Sequence, residues 1–206
     1  MENIIAIGDI HGQYESLVRL LQKINVSDVS EFVFLGDYID RGPDSKNVID
    51  FLIDFSKSNK CIFLKGNHEE LLLNSVNNPT SYNIWLNNGG VQTIKSYGGV
   101  NAIKKNHWYF FERLSLYYEK QNYLFVHAGI NPEILLSQQT SNDFLWIREE
   151  FISKDLKIDK KVIFGHTPNK KPLLRNDKIG IDTGAGYKDG YITAIKLPEE
   201  SFIFSK

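Results

Sequence analysis

Short apolar runs recur along the chain, and each is followed by a glycine or an ionisable residue. Five of these runs occupy residues 4–7, 32–35, 62–64, 124–126 and 162–164. Continuous apolar runs of this length are typical of strands that are buried on both faces of a sheet. The pattern therefore predicts five core strands.

Helical periodicity separates the first three runs. Apolar residues recur at spacings of three and four in two segments, at Leu17, Leu20, Leu21 and Ile24 and at Val48, Phe51, Leu52 and Phe55. The alternation of strand and helix predicts an α/β fold with right-handed crossovers and a largely parallel sheet. Parallel strands end at one edge of a sheet, where α/β proteins bind ligands.

The rest of the chain follows other patterns. Residues 69–120 are broken by glycine pairs at 89–90 and 98–99, and we predict that this segment is a mostly helical cap. The runs 179–181, 191–195 and 202–204 are separated by turn residues, which predicts β-strands that pair antiparallel. We expect one domain over residues 1–206, because a chain of this length fits a single core.

Composition narrows the classes of function. The net charge of −1 gives no general attraction to nucleic acid or to an anionic membrane. No apolar stretch approaches the roughly 20 residues of a membrane helix, and the single cysteine, Cys61, excludes an internal disulfide. We therefore expect a cytoplasmic protein without a membrane or a stable nucleic-acid partner. The oligomeric state is left open.

Five signatures follow the predicted strands. They are Gly8-Asp9-Ile10-His11-Gly12, Gly36-Asp37-Tyr38-Ile39-Asp40-Arg41-Gly42, Gly66-Asn67-His68-Glu69, Val126-His127-Ala128-Gly129 and Gly165-His166-Thr167-Pro168. A single Gly-Asp turn or histidine would usually be structural. Four of the five histidines lie in these signatures, however, and that concentration argues against a structural explanation. We interpret the fifth, His107, as an ordinary helix-surface or cap histidine. The three tryptophans are interpreted as packing residues.

The signatures match a chemical demand. Hydrolysis of a phosphate ester needs charge neutralisation and a positioned nucleophile, and two cations about 3.5–4 Å apart supply both. Carboxylate, imidazole and amide ligands together suit metals such as manganese, iron or zinc better than calcium. The sequence therefore predicts a binuclear metal site.

At these residues the chain resembles the calcineurin-like metallophosphoesterases, in particular the phosphoprotein phosphatase branch. It is most similar to the compact bacterial and phage members and to the diadenosine tetraphosphatase-like enzymes. Segments 85–98, 144–151 and 181–185 carry the resemblance over nearly the whole chain. It implies a β-sheet sandwich flanked by helices, with a helical cap insertion. The longer C-terminal half of the eukaryotic Ser/Thr phosphatases is absent, so their docking grooves are not carried over.

The resemblance also implies a ligand set. Asp9 and His11 would bind one metal, and Asp37 would bridge to a second metal. Asn67, His127 and His166 would complete the second site. Two divalent ions are expected, with manganese as the first expectation and iron, zinc, nickel or cobalt as alternatives.

The remaining roles concern the reaction. His68 would be the general acid, oriented and kept charged by Asp40. Arg41 and Arg148 would bind phosphoryl oxygens through planar, bidentate donors. A hydroxide that bridges the metals would attack phosphorus directly, without a covalent enzyme intermediate.

Several functions remain open at this point. We favour a protein phosphatase acting on phosphorylated Ser or Thr, with Tyr as an extension. A bis(5'-nucleosyl)-tetraphosphatase, which cleaves a phosphoanhydride, is the alternative within the same class. A phosphodiesterase or nuclease and a non-catalytic metal-binding module are alternatives of other classes. The expected partner is a phosphoprotein, a phosphorylated small molecule or a dinucleotide.

Overall fold

The computed structural model describes residues 2–206. Its strands are β1 (Ile4–Ile7), β2 (Glu31–Phe34), β3 (Cys61–Phe63), β4 (Tyr117–Lys120), β5 (Tyr123–Val126), β6 (Lys161–Phe164), β7 (Leu173–Leu174), β8 (Lys178–Gly180), β9 (Asp182–Thr183), β10 (Tyr191–Leu197) and β11 (Ser201–Phe204). Its α-helices are α1 (Tyr14–Gln22), α2 (Ser45–Phe55), α3 (Asn67–Ser75), α4 (Pro79–Trp85), α5 (Val91–Tyr97), α6 (Lys105–Glu112), α7 (Ser141–Trp146) and α8 (Glu149–Ser153). None of these helices is long and apolar enough to cross a membrane.

Two sheets form the centre of the fold. The first has the order β11-β10-β1-β2-β3, with β9 beside β10, and the second has the order β4-β5-β6-β8-β7. Strands β1, β2 and β3 are parallel to one another, as are β5, β6 and β8. The prediction of an α/β fold with two helix-flanked sheets is confirmed.

Apolar side chains on both faces of each sheet hold the layers together. Alternate residues of a strand point to opposite faces, so Val33 and Phe125 lie in the layer between the sheets. Phe34 packs under the helices of the first sheet, and Leu124 packs under α7 and α8. Burial on both faces explains why these strands read as continuous apolar runs.

The five predicted core strands are confirmed as β1, β2, β3, β5 and β6. Strand β3 differs from the prediction in its burial. Cys61, Ile62 and Phe63 are only partly buried, because β3 is the edge strand of the first sheet. Helices α1 and α2 carry the predicted apolar residues, except that Ile24 lies just beyond the end of α1.

The predicted cap boundary at residue 120 is wrong. The helical segment ends at Glu112, and Tyr117–Lys120 forms β4, which pairs antiparallel with β5. Adjacent tyrosines favour a strand, and the two-residue connection at Gln121 and Asn122 closes a hairpin. Gln121 has the positive φ of 53° that such a turn uses.

The tail prediction is confirmed for β10 and β11, which pair antiparallel. Ile179 and Gly180 also form a predicted strand, β8, which pairs antiparallel with β7. Strand β8 does not join β10 and β11, however, because it lies in the second sheet, where it is parallel to β6. The local pattern predicts a strand, but the choice of partner depends on the packing of distant segments.

Candidate metal centre

The ends of the strands bring the predicted ligands to one rim of the sandwich. Asp9 and Asp37 follow β1 and β2, and Asn67 begins α3 after β3. His127 and His166 follow β5 and β6 of the second sheet. Parallel strands place these residues at the C-terminal edge of each sheet.

Two contacts join the two sheets at this rim. The His127 imidazole Nδ1 lies 2.9 Å from the Leu35 carbonyl oxygen. The backbone N–H of His166 donates to the Asp9 carboxylate, 3.2 Å from its Oδ1. Residues of the second sheet are therefore fixed against loops of the first.

The potential ligand atoms form two groups that share Asp37. One group consists of Asp37, His11 and His68, and the other of Asp37, His127 and His166. Within each group, one ligand atom per residue lies within 4.8 Å of the others. A carboxylate common to two groups has the position that a bridging ligand requires.

Asp9 lies beside the first group. Its Oδ2 is 3.9 Å from Nε2 of His11, and the residue is almost fully buried. All six predicted ligands are thus brought to one buried rim.

Backbone carbonyls fix the proton on two imidazole rings. His11 Nδ1 lies 2.9 Å from the Ile39 oxygen, and His127 makes the equivalent contact with Leu35. A carbonyl oxygen only accepts, so each Nδ1 carries the hydrogen and each Nε2 presents a lone pair. This arrangement prepares an imidazole to bind a metal.

Two imidazole nitrogens lie close to the side-chain oxygen of Asn67. Its Oδ1 lies 3.0 Å from His127 Nε2 and 2.8 Å from His166 Nδ1. Nε2 of His166 is buried without a hydrogen-bond partner among residues 2–206. Buried lone pairs without donors are costly, and a cation removes that cost. The nitrogen and oxygen donors fit a divalent metal with mixed ligands.

Burial also controls ionisation in this pocket. It raises the pKa of Asp9 well above the ordinary value, and the carboxylates of Asp182 and Asp37 raise that pKa further. It lowers the pKa of His11 to about 3 and that of His166 to about 2. Neutral imidazoles beside clustered carboxylates make an electron-rich pocket, which a cation would stabilise.

His68, a member of the first group, forms a buried pair with Asp40. His68 Nδ1 lies 2.8 Å from Asp40 Oδ2, and His68 Nε2 has no hydrogen-bond partner among the described residues. Burial works against a charged imidazole, but the carboxylates of Asp37 and Asp40 outweigh it and raise the pKa of His68. These carboxylates thus favour the protonated form of the ring, whose Nε2 is the nitrogen without a partner.

Both predicted arginines contact the site. Arg41 Nη1 donates to His11 Nε2 at 2.6 Å, and the guanidinium lies 4.7 Å from the ring centre of Tyr187. Arg148 is exposed, and its Nη1 donates to the His166 carbonyl oxygen at 3.0 Å. The site combines buried acceptors with two cationic donors near its rim.

The backbone of the site is unusual. Eight non-glycine residues within 2–206 have positive φ, and five of them are predicted site residues, namely His11, Asp37, Asp40, Arg41 and His166. Such conformations are uncommon outside glycine and persist only where surrounding contacts stabilise them. Their concentration among the predicted site residues indicates a functional site.

Glu69 stabilises part of this backbone. Its buried carboxylate accepts the N–H groups of Asp37 at 3.0 Å, Tyr38 at 2.8 Å and Gly66 at 3.0 Å. Gly36 packs closely nearby, because a Cβ there would lie 2.5 Å from the Gly66 nitrogen. The loops after β2 and β3 are thereby joined.

Sequence reasoning missed several contributors. Glu69 and Asp182 lie within quoted motifs, but neither received a role. The interpretation of Trp85 as a packing residue is incomplete, because its indole Nε1 also donates to Asp40 at 2.9 Å. The prediction of a surface position for His107 is wrong, since the ring is fully buried and contacts the Tyr97 hydroxyl at 2.7 Å. Only the apolar surroundings of His107 could have indicated its burial.

The calcineurin-like phosphoesterase family model matches residues 2–199. The chain belongs to the calcineurin-like phosphoesterases. Members of this family use a divalent metal centre, and the chain is accordingly a metal-dependent hydrolase.

Individual relatives of this calcineurin-like phosphoesterase differ in their named activities. A bis(5'-nucleosyl)-tetraphosphatase PrpE (asymmetrical) from Oceanobacillus iheyensis is 31% identical, covering 96% of this chain and 89% of the relative. The crystal structure of a proposed diadenosine tetraphosphatase has a TM-score of 0.77 at 20% identity. The match covers 98% of this chain and 92% of the tetraphosphatase chain. The structure of a protein serine/threonine phosphatase from Saccharomyces cerevisiae has a TM-score of 0.64 at 18% identity. The match covers 98% of this chain and 78% of the phosphatase chain. The two structures share the fold of this chain.

We expect Glu69→Ala to destabilise the fold. The variant removes the acceptor of four buried N–H groups, those of Asp37, Tyr38, Ile39 and Gly66. One unsatisfied buried donor costs about 1–3 kcal/mol. The free energy of unfolding in urea should fall by about 3 kcal/mol or more, measured by circular dichroism in the presence of a chelator. Glu112→Ala, on the exposed end of α6, is the matched control. Equal stability of the two variants would contradict the role of Glu69.

Proposed function

We propose that the chain is a two-metal phosphatase that hydrolyses phosphomonoesters, with phosphorylated Ser and Thr side chains as its first substrate class and Tyr as an extension. The observation that carries this proposal is the buried His68–Asp40 pair, in which His68 belongs to the first of two ligand groups that share Asp37. Metal ligands alone would also suit a binding module. A buried acid next to them points to catalysis.

The ligands are proposed as the resemblance implies. Asp9 and His11 would hold one ion, Asp37 would touch both, and the second would have three further ligands, Asn67, His127 and His166. Manganese is the first candidate for both ions, and the cytoplasm is the proposed location. The ligand set is supported by the unpartnered Nε2 of His166 and by the 3.0 Å approach of His127 Nε2 to Asn67 Oδ1, where two lone pairs meet.

Two bound cations would neutralise phosphoryl charge and lower the pKa of a water molecule. Arg41 and Arg148 are proposed to bind the phosphoryl oxygens, because guanidinium groups donate in pairs to such oxygens. Arg41 lies near His11 and Arg148 near His166, so the phosphoryl group would be bound close to both ligand groups. Nothing in this arrangement requires a covalent bond to the protein.

His68 is proposed to protonate the leaving oxygen. Its Nδ1 donates to Asp40, which leaves the Nε2 proton directed into the pocket. A serine or threonine alkoxide is a poor leaving group and gains most from protonation in the transition state. A buried imidazole whose protonated form is favoured by Asp37 and Asp40 would therefore suit an alcohol ester as substrate.

A dinucleoside polyphosphate is the second candidate substrate. The observation in its favour is the tetraphosphatase name of the relative that is 31% identical over most of both chains. The same ligands and arginines would act on a phosphoanhydride. Its nucleotide leaving group is more stable as an anion, so cleavage would depend less on His68.

Removal of the shared carboxylate should weaken both metals together. For Asp37→Asn we expect metal analysis after dialysis to show loss of both ions, and hydrolysis of p-nitrophenyl phosphate to fall by at least about 100-fold. Asp54→Asn, on the exposed face of α2, is the control that should keep both ions. Retention of one full equivalent of metal in Asp37→Asn would contradict the shared position.

His68→Asn should separate substrates by leaving group. We expect kcat on a phosphoserine peptide to fall by about 10²–10⁴-fold, the range for general acid catalysis. The decrease on p-nitrophenyl phosphate should be much smaller, because that leaving group needs little protonation. Metal content should be unchanged. An equal decrease in kcat on the two substrates would contradict the role of His68 as the general acid.

A direct comparison decides between the two substrate classes. The wild-type protein with added manganese should turn over a phosphoserine peptide with a higher kcat/KM than diadenosine tetraphosphate. Labelled single-stranded DNA, the probe for a nuclease, should remain intact. A kcat/KM for the dinucleotide well above that for the peptide would reverse the order of the candidates.

A further inference from the structure

The carboxylate of Asp40 is held by two side chains of the cap. Trp85, the last residue of α4, donates its indole N–H to both oxygens, at 3.1 and 2.9 Å. Thr93, in α5, donates its hydroxyl to Oδ1 at 2.6 Å. Both residues are fully buried. With His68 on Oδ2, every named partner of this carboxylate is a donor, as an anion requires.

The cap also holds the backbone of Asp40. The Asp40 N–H donates to Thr93 Oγ1 at 2.9 Å and to Ser45 Oγ at 3.1 Å. Asp40 has a φ of 70°, a conformation that needs support in a non-glycine residue. Thr93 therefore contacts Asp40 twice, once at the side chain and once at the backbone.

The turn between α4 and α5 extends these contacts to Arg41. The Gly89 carbonyl accepts the backbone N–H of Arg41 at 3.2 Å. Gly89 has a φ of 105°, and a Cβ there would lie 2.9 Å from the Arg41 side chain and backbone. Only glycine allows this turn to pass so close to the arginine.

We propose that Trp85, Gly89 and Thr93, here called the cap clamp, are positioning residues that align the acid pair and the phosphate-binding arginine as one unit. This inference rests on the proposed function. Trp85 and Thr93 act through Asp40 on His68, and Gly89 acts on Arg41. The helical cap thereby contributes to catalysis without itself contacting the reacting atoms.

If position 40 served packing alone, an apolar side chain would fill it without the cost of burying a charge. A buried carboxylate is costly, and the donors around it are justified where its charge serves another group. A few tenths of an ångström at Asp40 would move the His68 ring, because their hydrogen bond is short and direct. Small misalignments of an acid reduce the rate sharply.

Near-isosteric variants of Trp85 and Thr93 test whether these two residues position the acid pair. Thr93→Val and Trp85→Phe remove one donor each and keep most of the side-chain volume. We expect kcat on a phosphoserine peptide to fall about 10–100-fold, part of the full acid contribution. KM and metal content should stay constant, and kcat on p-nitrophenyl phosphate should change less than about threefold. Thr93→Ser retains the hydroxyl and should restore the peptide rate.

The contact of Gly89 with Arg41 predicts a different kinetic pattern. In Gly89→Ala, the added methyl group should displace Arg41, so KM should rise about tenfold for both substrates, equivalent to a weakened charge-assisted hydrogen bond. The ratio of the two kcat values should not change. A uniform fall in kcat with constant KM would contradict the role of Gly89 in positioning Arg41.

Two controls remove groups from the same cap. Tyr97→Phe deletes a buried hydroxyl of α5 that contacts His107 and not Asp40, and Trp108→Phe shortens an aromatic residue that packs on Phe111. Both should keep the wild-type ratio of peptide to p-nitrophenyl phosphate turnover.

The outcomes separate this inference from the proposed function. If the wild-type protein does not hydrolyse either phosphoester with added metal, the proposed function fails. If the wild type is active but Thr93→Val and Trp85→Phe lower both substrates equally, or neither, only the cap clamp is overturned. Circular dichroism and thermal melting establish that each variant is folded. Should Thr93→Val not fold, Trp85→Phe decides the question.

Discussion

The packing of the two sheets through their shared apolar layer is the constraint on which the rest of this structure depends. The layer that contains Val33 and Phe125 fixes the sheets face to face, so that strand ends from both meet at one rim. The contact between His127 and the Leu35 carbonyl spans this junction. Candidate metal ligands from two sheets can converge only if that layer sets their separation. The apolar core therefore determines the geometry of a polar site.

The site has a second layer of support that is polar and buried. Glu69 joins the loops after β2 and β3, and the backbone carbonyls of Leu35 and Ile39 orient two imidazole rings. Each support leaves lone pairs directed into one pocket. The protein thus carries strained backbone and repulsive acceptors together, a combination that makes sense where cations bind. Stability is given up locally and recovered in the surrounding core.

Much of the fold and of the site could be predicted from the sequence. Apolar runs identify strands because burial on both faces leaves no polar alternation, and glycine-flanked ionisable residues mark the strand ends. The site residues whose positions were expected do lie together at the rim. Long-range pairing was less accessible. The place of β8 in the second sheet and the end of the cap at Glu112 depend on tertiary packing. So do the contacts of Trp85 with Asp40, since an indole looks the same in sequence whether its N–H is used or not.

The position of β1 in the first sheet bears on how the chain assembles. This strand lies between β2 and β10, with Ile4 opposite both Glu31 and Leu197. Such pairing has a high sequence separation, which slows folding. During synthesis, one edge of β1 stays without its partner until residues 191–197 have emerged from the ribosome. Asp9, which follows β1 directly, then reaches its final environment only after residues 191–197 have been made.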